Sequence, residues 1–160
     1  MFKNKTVLIT GGTGSLGTGL IRRLVGYGAT IVVYSRDEAK QAELLRKFPS
    51  IIRVIGDVRD FQQLDITMKI HKPNFVFHTG ALKRVDDIEF YPMEGIKTNV
   101  IGSDNVARAS LLNNVERCAL VSTDKSCQSV SAYGATKLLA ERIFTNYDYQ
   151  STQTKFCSVR

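Results

Sequence analysis

Short apolar runs alternate with longer amphipathic stretches from one end of the chain to the other. The runs fall at Thr6–Thr10, Ile31–Tyr34, Ile51–Ile55, Phe75–His78, Cys118–Ser122 and Phe156–Val159, and they are rich in Val, Ile and Phe. Apolar runs of this length without polar alternation predict strands buried on both faces. Helices are predicted between them, over Leu16–Gly26, Glu38–Lys47, Phe61–His71, Pro92–Asn113 and Ala132–Tyr147. Pro92 suits a first helical turn, where its missing N–H costs nothing. Regular alternation of strand and helix, with no repeat and no low-complexity tract, predicts an α/β fold. Its form is a doubly wound parallel sheet with helices on both faces.

At 160 residues the chain has the length of one domain. Its 43% hydrophobic and 23% charged content is that of a soluble globular protein. No apolar run approaches the ~20 residues that span a bilayer, and the first strand is too short for a signal-peptide core. The expectation is a cytoplasmic protein without membrane association. Cys118, Cys127 and Cys157 lack the paired spacing of a zinc site and read as buried or incidental thiols. The net charge of +7 comes from scattered Lys and Arg without a basic block or a nucleic-acid module. No metal and no nucleic acid is expected; a phosphate-bearing small molecule fits this charge better.

Ile9-Thr10-Gly11-Gly12-Thr13-Gly14-Ser15-Leu16-Gly17 joins the first strand to the first helix, with glycines at 11, 14 and 17. A pyrophosphate approaches a helix N-terminus only where side chains are missing, and the free N–H groups then hold it. The turn therefore reads as a dinucleotide site in a Rossmann-like fold, built by Gly11, Thr13, Gly14, Ser15, Leu16 and Gly17. After the second strand, an acidic residue favours NAD and a basic one favours NADP. Ser35 and Arg36 come first here and Lys40 follows a turn later, which favours NADP; an inward Asp37 would favour the alternative, NAD. Gly56-Asp57-Val58 follows the third strand and places Asp57 and Val58 near the adenine. Asp57 reads either as an acceptor for the adenine amino group or as a solvated turn residue.

Tyr133-Gly134-Ala135-Thr136-Lys137 puts a phenol and an ammonium at i and i+4, on one helix face. A free phenol is too weakly acidic to act as a base at neutral pH, and a neighbouring cation stabilises its anion. The fifth strand ends in Val121-Ser122-Thr123-Asp124-Lys125. Residues at the C-terminal edge of a parallel sheet face the ligand crevice. Thr123 can bond a substrate hydroxyl, and the adjacent Asp124 and Lys125 can serve as acid and base.

The set TGGTGSLG, YSRDE, GDVRD, HTGALK, STDK and YGATK resembles the extended short-chain dehydrogenase/reductase superfamily. Within it the chain is most similar to inverting UDP-N-acetylglucosamine 4,6-dehydratases, over essentially its whole length. STDK followed by YGATK is the most specific element, since other hexose 4,6-dehydratases of the superfamily carry Asp-Glu at Asp124-Lys125.

This resemblance implies a redox-neutral elimination from a UDP-sugar. Tyr133 and Lys137 would serve oxidation at C4, Lys125 would take the C5 proton, and Asp124 would protonate the departing C6 hydroxyl. It also places Lys83 near the cofactor and implies a homo-oligomer built on the helices at Pro92–Asn113 and Ala132–Tyr147. Thr79, Arg84, Asp86, Asp87 and Ser126-Cys127-Gln128 depart from the usual family pattern and bear on sugar identity. Extended members continue into a nucleotide-sugar lobe. The expectation is one NAD(P)-binding domain over 1–160 with that lobe absent, retaining cofactor affinity but little turnover. A nucleotide-sugar 4-epimerase and a non-catalytic dinucleotide-binding module are the competing readings. His78 and Asn99 are expected to be structural.

Overall fold

The computed structural model describes residues 1–160. Six parallel strands form one sheet in the order β3-β2-β1-β4-β5-β6. They are β1 Thr6–Thr10, β2 Thr30–Ser35, β3 Ile52–Ile55, β4 Phe75–His78, β5 Arg117–Val121 and β6 Lys155–Val159. The helices are α1 Ser15–Gly26, α2 Glu38–Lys47, α3 Phe61–His71, α4 Val85–Phe90, α5 Pro92–Gly95, α6 Gly102–Leu112 and α7 Ala132–Gln150. This strand order is that of the Rossmann fold, with its switch point between β1 and β4.

Successive strand residues point to opposite faces, so β1, β2 and β4 feed two cores, while β3, β5 and β6 feed one. Val7, Ile9, Ile31 and Val33 pack with Ile21 and Leu24 of α1 and Leu44 of α2. Leu8, Val32, Val76 and Leu120 meet Leu64 and Met68 of α3, Val106 of α6 and Phe144 of α7. Leu8 and Ile9 have no exposed surface, and each such side chain contributes roughly 1.5–3 kcal/mol relative to exposure.

Three features depart from the expected elements. The edge strands are not buried on both faces, since β3 alternates half-buried and exposed residues and β6 buries only Phe156. A short helix, α4, occupies the stretch after β4, and the long helix predicted over Pro92–Asn113 is divided. Between α5 and α6 lies a π-helical segment, Ile96–Ile101, where the Gly102 amide reaches back five residues to the Lys97 carbonyl. The Ser103 hydroxyl donates to the Asn99 carbonyl at 2.5 Å. This wider turn carries the buried Thr98 and Asn99. π-segments of this kind recur at functional sites.

Candidate functional site

A cavity of about 510 Å³ opens at the C-terminal ends of β1, β2, β4 and β5, across the switch point. Its floor begins at the glycine turn. Gly11 has φ +66, and a Cβ there would lie 2.6 Å from the Gly80 Cα, so the loops after β1 and β4 approach as only glycine permits. Gly14 is the N-cap of α1 and provides no side-chain cap, leaving the first amides of the helix open to a ligand.

All the residues expected to hold the cofactor line this one cavity: Gly11, Thr13, Gly14, Ser15, Leu16, Gly17, Ser35, Arg36, Asp37, Lys40, Asp57, Val58, Lys83, Tyr133 and Lys137. Thr98, Gly80 and Ser122 join them, although the sequence pattern had not singled them out. The Thr98 hydroxyl is buried without a hydrogen-bond partner. An unpaired buried hydroxyl facing a cavity, beside a cradle free of side chains, fits a polar ligand of dinucleotide size.

At the adenosine end the acids are already engaged. The Asp37 carboxylate caps α2, accepting from the Lys40 amide at 2.9 Å, and pairs with Lys40 Nζ at 2.9 Å. Asp57 accepts from Arg59 Nε at 2.8 Å and from the Arg59 amide at 3.0 Å, while Arg36 stands 3.4 Å away. Burial alone would raise the Asp57 carboxyl, but Arg59 and Arg36 hold it below the usual range. Arg36 keeps half its side chain exposed. Gln41, buried in α2, donates to the carbonyls of Ser35 and Val54 and ties the ends of β2 and β3 together.

At the other end, α7 carries the phenol and the amine. Ser131 caps it, accepting from the Gly134 amide at 3.1 Å. Tyr133 and Lys137 are both buried. Lys137 Nζ donates to the Val121 carbonyl at 2.7 Å, which fixes the amine against the end of β5. Burial pushes the Lys137 ammonium down to about 8, against the opposing pull of Glu141.

Thr123, Asp124 and Lys125 stand apart from the cavity lining, in a 3-10 turn at Asp124–Ser126. Thr123 Oγ1 donates to Asp124 Oδ1 at 2.9 Å, and Lys125 Nζ lies 3.7 Å from the same oxygen. These contacts hold the Asp124 carboxyl below its ordinary range, by the Thr123 bond first and the Lys125 charge second. Both side chains are largely in solvent, Asp124 at 86% exposure. The turn is nonetheless pressed onto α7: a Cβ on Gly134 would collide with the Lys125 carbonyl oxygen.

His78 is buried between Thr10 Oγ1 at 2.6 Å and Ser103 Oγ at 3.0 Å. Burial, aided by the Lys137 charge, lowers it to about 3, so it is neutral. Asn99 accepts from the Leu82 amide at 2.8 Å and donates to the Leu82 carbonyl at 3.0 Å and Thr136 Oγ1 at 3.1 Å. It pins the loop carrying Lys83 to α7. Glu141, one turn beyond Lys137, was not anticipated, although its i+4 spacing from Lys137 is readable in the sequence. The three cysteines are free, with Cys118 buried and Cys127 and Cys157 exposed. No group of His, Cys, Asp or Glu is arranged to hold a metal, and no helix is long and apolar enough to cross a membrane.

A doubly wound sheet, a glycine cradle at its switch point and a buried phenol–amine pair on the same cavity define a dinucleotide-binding domain of the short-chain dehydrogenase/reductase type. Residues 7–160 match the family described as polysaccharide biosynthesis protein, and the chain belongs to it. The chain is 44% identical over 162 residues to a UDP-N-acetylglucosamine 4,6-dehydratase (inverting) of Campylobacter jejuni subsp. jejuni serotype O:2, covering 98% of this chain and 48% of that one. It is 42% identical over 150 residues to a UDP-glucose 4-epimerase of Rickettsia rickettsii, covering 89% and 43%. Pen from Bacillus thuringiensis superposes with a TM-score of 0.96 at 35% identity, over all of this chain and 50% of that one. WbmG from Bordetella bronchiseptica, solved in complex with NAD, has a TM-score of 0.81 at 27% identity, over 99% and 53%. The chain thus spans about half the length of the curated relatives it matches.

Proposed function

We propose that the chain is the cofactor-binding part of a nucleotide-sugar 4,6-dehydratase, a lyase that takes UDP-N-acetylglucosamine to a 4-keto-6-deoxy sugar with NADP bound. The observation carrying this reading is the convergence of Tyr133 and Lys137 on the wall of the cavity that starts at the glycine turn. The STDK segment beside them favours dehydration. The amides at Ser15, Leu16 and Gly17 would hold the pyrophosphate. Ser35, Arg36 and Lys40 would take the ribose phosphate, a role favoured by the commitment of Asp37 to capping α2. Asp57 and Val58 would border the adenine, and Lys83 and Lys137 the nicotinamide ribose.

The bound dinucleotide supplies a hydride acceptor at C4 and later a donor at C6. Tyr133, acting as general base beside Lys137, would take the C4 hydroxyl proton, leaving a ketone. That ketone acidifies the C5 proton, which Lys125 removes while Asp124 gives a proton to the C6 hydroxyl, and water leaves. Once C6 has been reduced, Lys125 would return the proton to C5. The proton held by Tyr133 balances the one spent by Asp124, so the sugar loses one water and no net electrons. Asp124 is anionic and exposed in the chain alone. Its acid role therefore depends on substrate and a sugar-binding half covering it, since desolvation raises a carboxyl.

The test has two arms. The chain should bind NADP about tenfold more tightly than NAD, and Arg36→Ala should erase the difference, one lost phosphate contact being worth roughly that factor. In an enzyme that has the second half found in the relatives, Lys125→Ala should abolish dehydration and leave cofactor binding intact. The relatives named UDP-glucose 4-epimerase keep one other reading in view. A C4 epimer as product, insensitive to Lys125→Ala, would establish it instead.

A further inference from the structure

We propose that Glu141 is a positioning residue. Its buried carboxylate clamps the end of β5 and the Asp124–Lys125 turn onto the helix bearing Tyr133 and Lys137. The proposal rests on the reading of Tyr133 and Lys137 as the working couple.

Glu141 is 7% exposed, on the face of α7 that carries Lys137 one turn earlier. Its oxygens collect donors from three separate segments. Ser122, the residue after β5, donates its hydroxyl to Oε1. Ser126, at the end of the 3-10 turn, has its hydroxyl 2.7 Å from Oε1 and 2.6 Å from the Thr123 carbonyl. One proton serves one acceptor at a time, and the charged carboxylate is the stronger partner. Arg160, after β6, donates from Nε at 3.1 Å and from Nη2 at 2.7 Å. Thr123, Asp124 and Lys125 therefore lie between two serines that both end on Glu141. Lys137 adds the third tie by holding the Val121 carbonyl. A carboxylate needed only to cap a surface arginine would not be threaded through both ends of this turn.

Its second effect is electrostatic. Glu141 is the charge that favours the Lys137 ammonium against burial. Three acids on helices packed against α7 are engaged elsewhere. Glu89 of α4 accepts from the Ala132 amide, Asp104 of α6 from Tyr147, and Glu94 of α5 pairs with Lys97. Asp124 and Lys125 pair with each other in solvent. His78 of β4 is neutral, which leaves Arg160 as the cation shared with Glu141.

The decisive measurement is the Lys137 titration in the 160-residue chain, read from its 13Cε shift and assigned with Lys137→Arg. Glu141→Gln should lower the midpoint by about one unit, because the ammonium loses its only supporting charge. NADP affinity at pH 8 should fall about fivefold as more lysine becomes neutral. Glu141→Asp, which keeps the charge, should leave the midpoint near that of the parent. Should Glu141→Gln fail to fold, the double variant Ser122→Ala with Ser126→Ala keeps the charge and removes the clamp. It should speed amide exchange across residues 122–127 and weaken NADP severalfold. A folded Glu141→Gln chain with parental lysine midpoint and parental affinity, altered only in melting temperature, would overturn the proposal. So would a double variant with unchanged exchange and affinity. If the parent chain binds no dinucleotide, the cofactor reading falls, and the lysine midpoint alone then decides the role of Glu141.

Discussion

A Cβ at Gly14 would lie 3.3 Å from the Gly11 carbonyl, a contact a small shift relieves, whereas one at Gly17 would lie 2.5 Å from the Gly12 Cα. Gly14→Ala should therefore fold within about 1 kcal/mol of the parent yet crowd the phosphate cradle, with dinucleotide affinity reduced at least about tenfold. Gly17→Ala should instead lose stability, and urea titrations beside binding isotherms would show the difference. Lys137 carries its own pH signature. Its pKa falls to about 8 in the folded chain, so the unfolded chain binds more protons between that value and the ordinary lysine range. Stability from this residue is thus penalised below about pH 8 and recovered as pH rises through that window. Relative to Lys137→Met, the parent should gain roughly 2 kcal/mol between pH 7 and pH 9.5. A flat difference in urea midpoints would contradict the burial argument. Glu141 has the opposite sense: Arg160 first, then the two serines, hold it near about 2. Its contribution is complete above the ordinary carboxyl range and is lost as pH falls toward 2. Acid unfolding should therefore begin earlier in the parent than its neutral stability suggests, and Glu141→Gln should flatten that limb.

Asn99 shows how one element depends on another. Its amide satisfies both backbone groups of Leu82 and the Thr136 hydroxyl, with no exposed surface. Asn99→Ala would strand those groups, and a loss of about 2–3 kcal/mol is expected in denaturant titrations. The loop bearing Lys83 should loosen with it, seen as faster amide exchange around Leu82. The π-segment that places Asn99 had no local signature, because a continuous apolar face over Pro92–Asn113 reads as a single helix. The wider turn goes with contacts distant in sequence, the Asn99 side chain on Leu82 and Gly102 against Val58, which spacing does not encode. The same reason hid α4, six residues whose single buried side chain is Ile88. Strands, by contrast, were legible, since Val7–Ile9 and Ile31–Tyr34 are buried on both faces and need no register to be recognised. The glycine turn and Tyr133–Lys137 were legible because their chemistry is local, one to a turn and one to a helix face. Thr98, Ser122 and Glu141 join the site through contacts between elements distant in sequence, which spacing does not encode, although Glu141 repeats the i+4 step from Lys137.

On the scale of the molecule, Phe90, Tyr91 and Met93 stand largely in solvent beside α7, where Leu139 is also half exposed. Exposed apolar groups on neighbouring helices suit association, and we propose that a second copy of the chain joins there. Sedimentation at tens of micromolar should reveal it, and Phe90→Ser with Tyr91→Ser should give a folded monomer. The cofactor acts on the same scale, because a ligand that binds only the folded chain stabilises all of it. At a concentration one hundred times its dissociation constant, that stabilisation is about 2.7 kcal/mol. For a chain of 160 residues, each kcal/mol moves the melting temperature by roughly 2–4 °C. Saturating NADP should therefore raise it by about 5–11 °C. NAD at equal concentration should raise it by several degrees less, the gap closing in Arg36→Ala. The cavity spans the ends of β1, β2, β4 and β5, so its filling has to be felt across the sheet. A melting curve that neither dinucleotide moves would mean that the glycine turn, the basic residues after β2 and the buried amine of α7 do not act as one site.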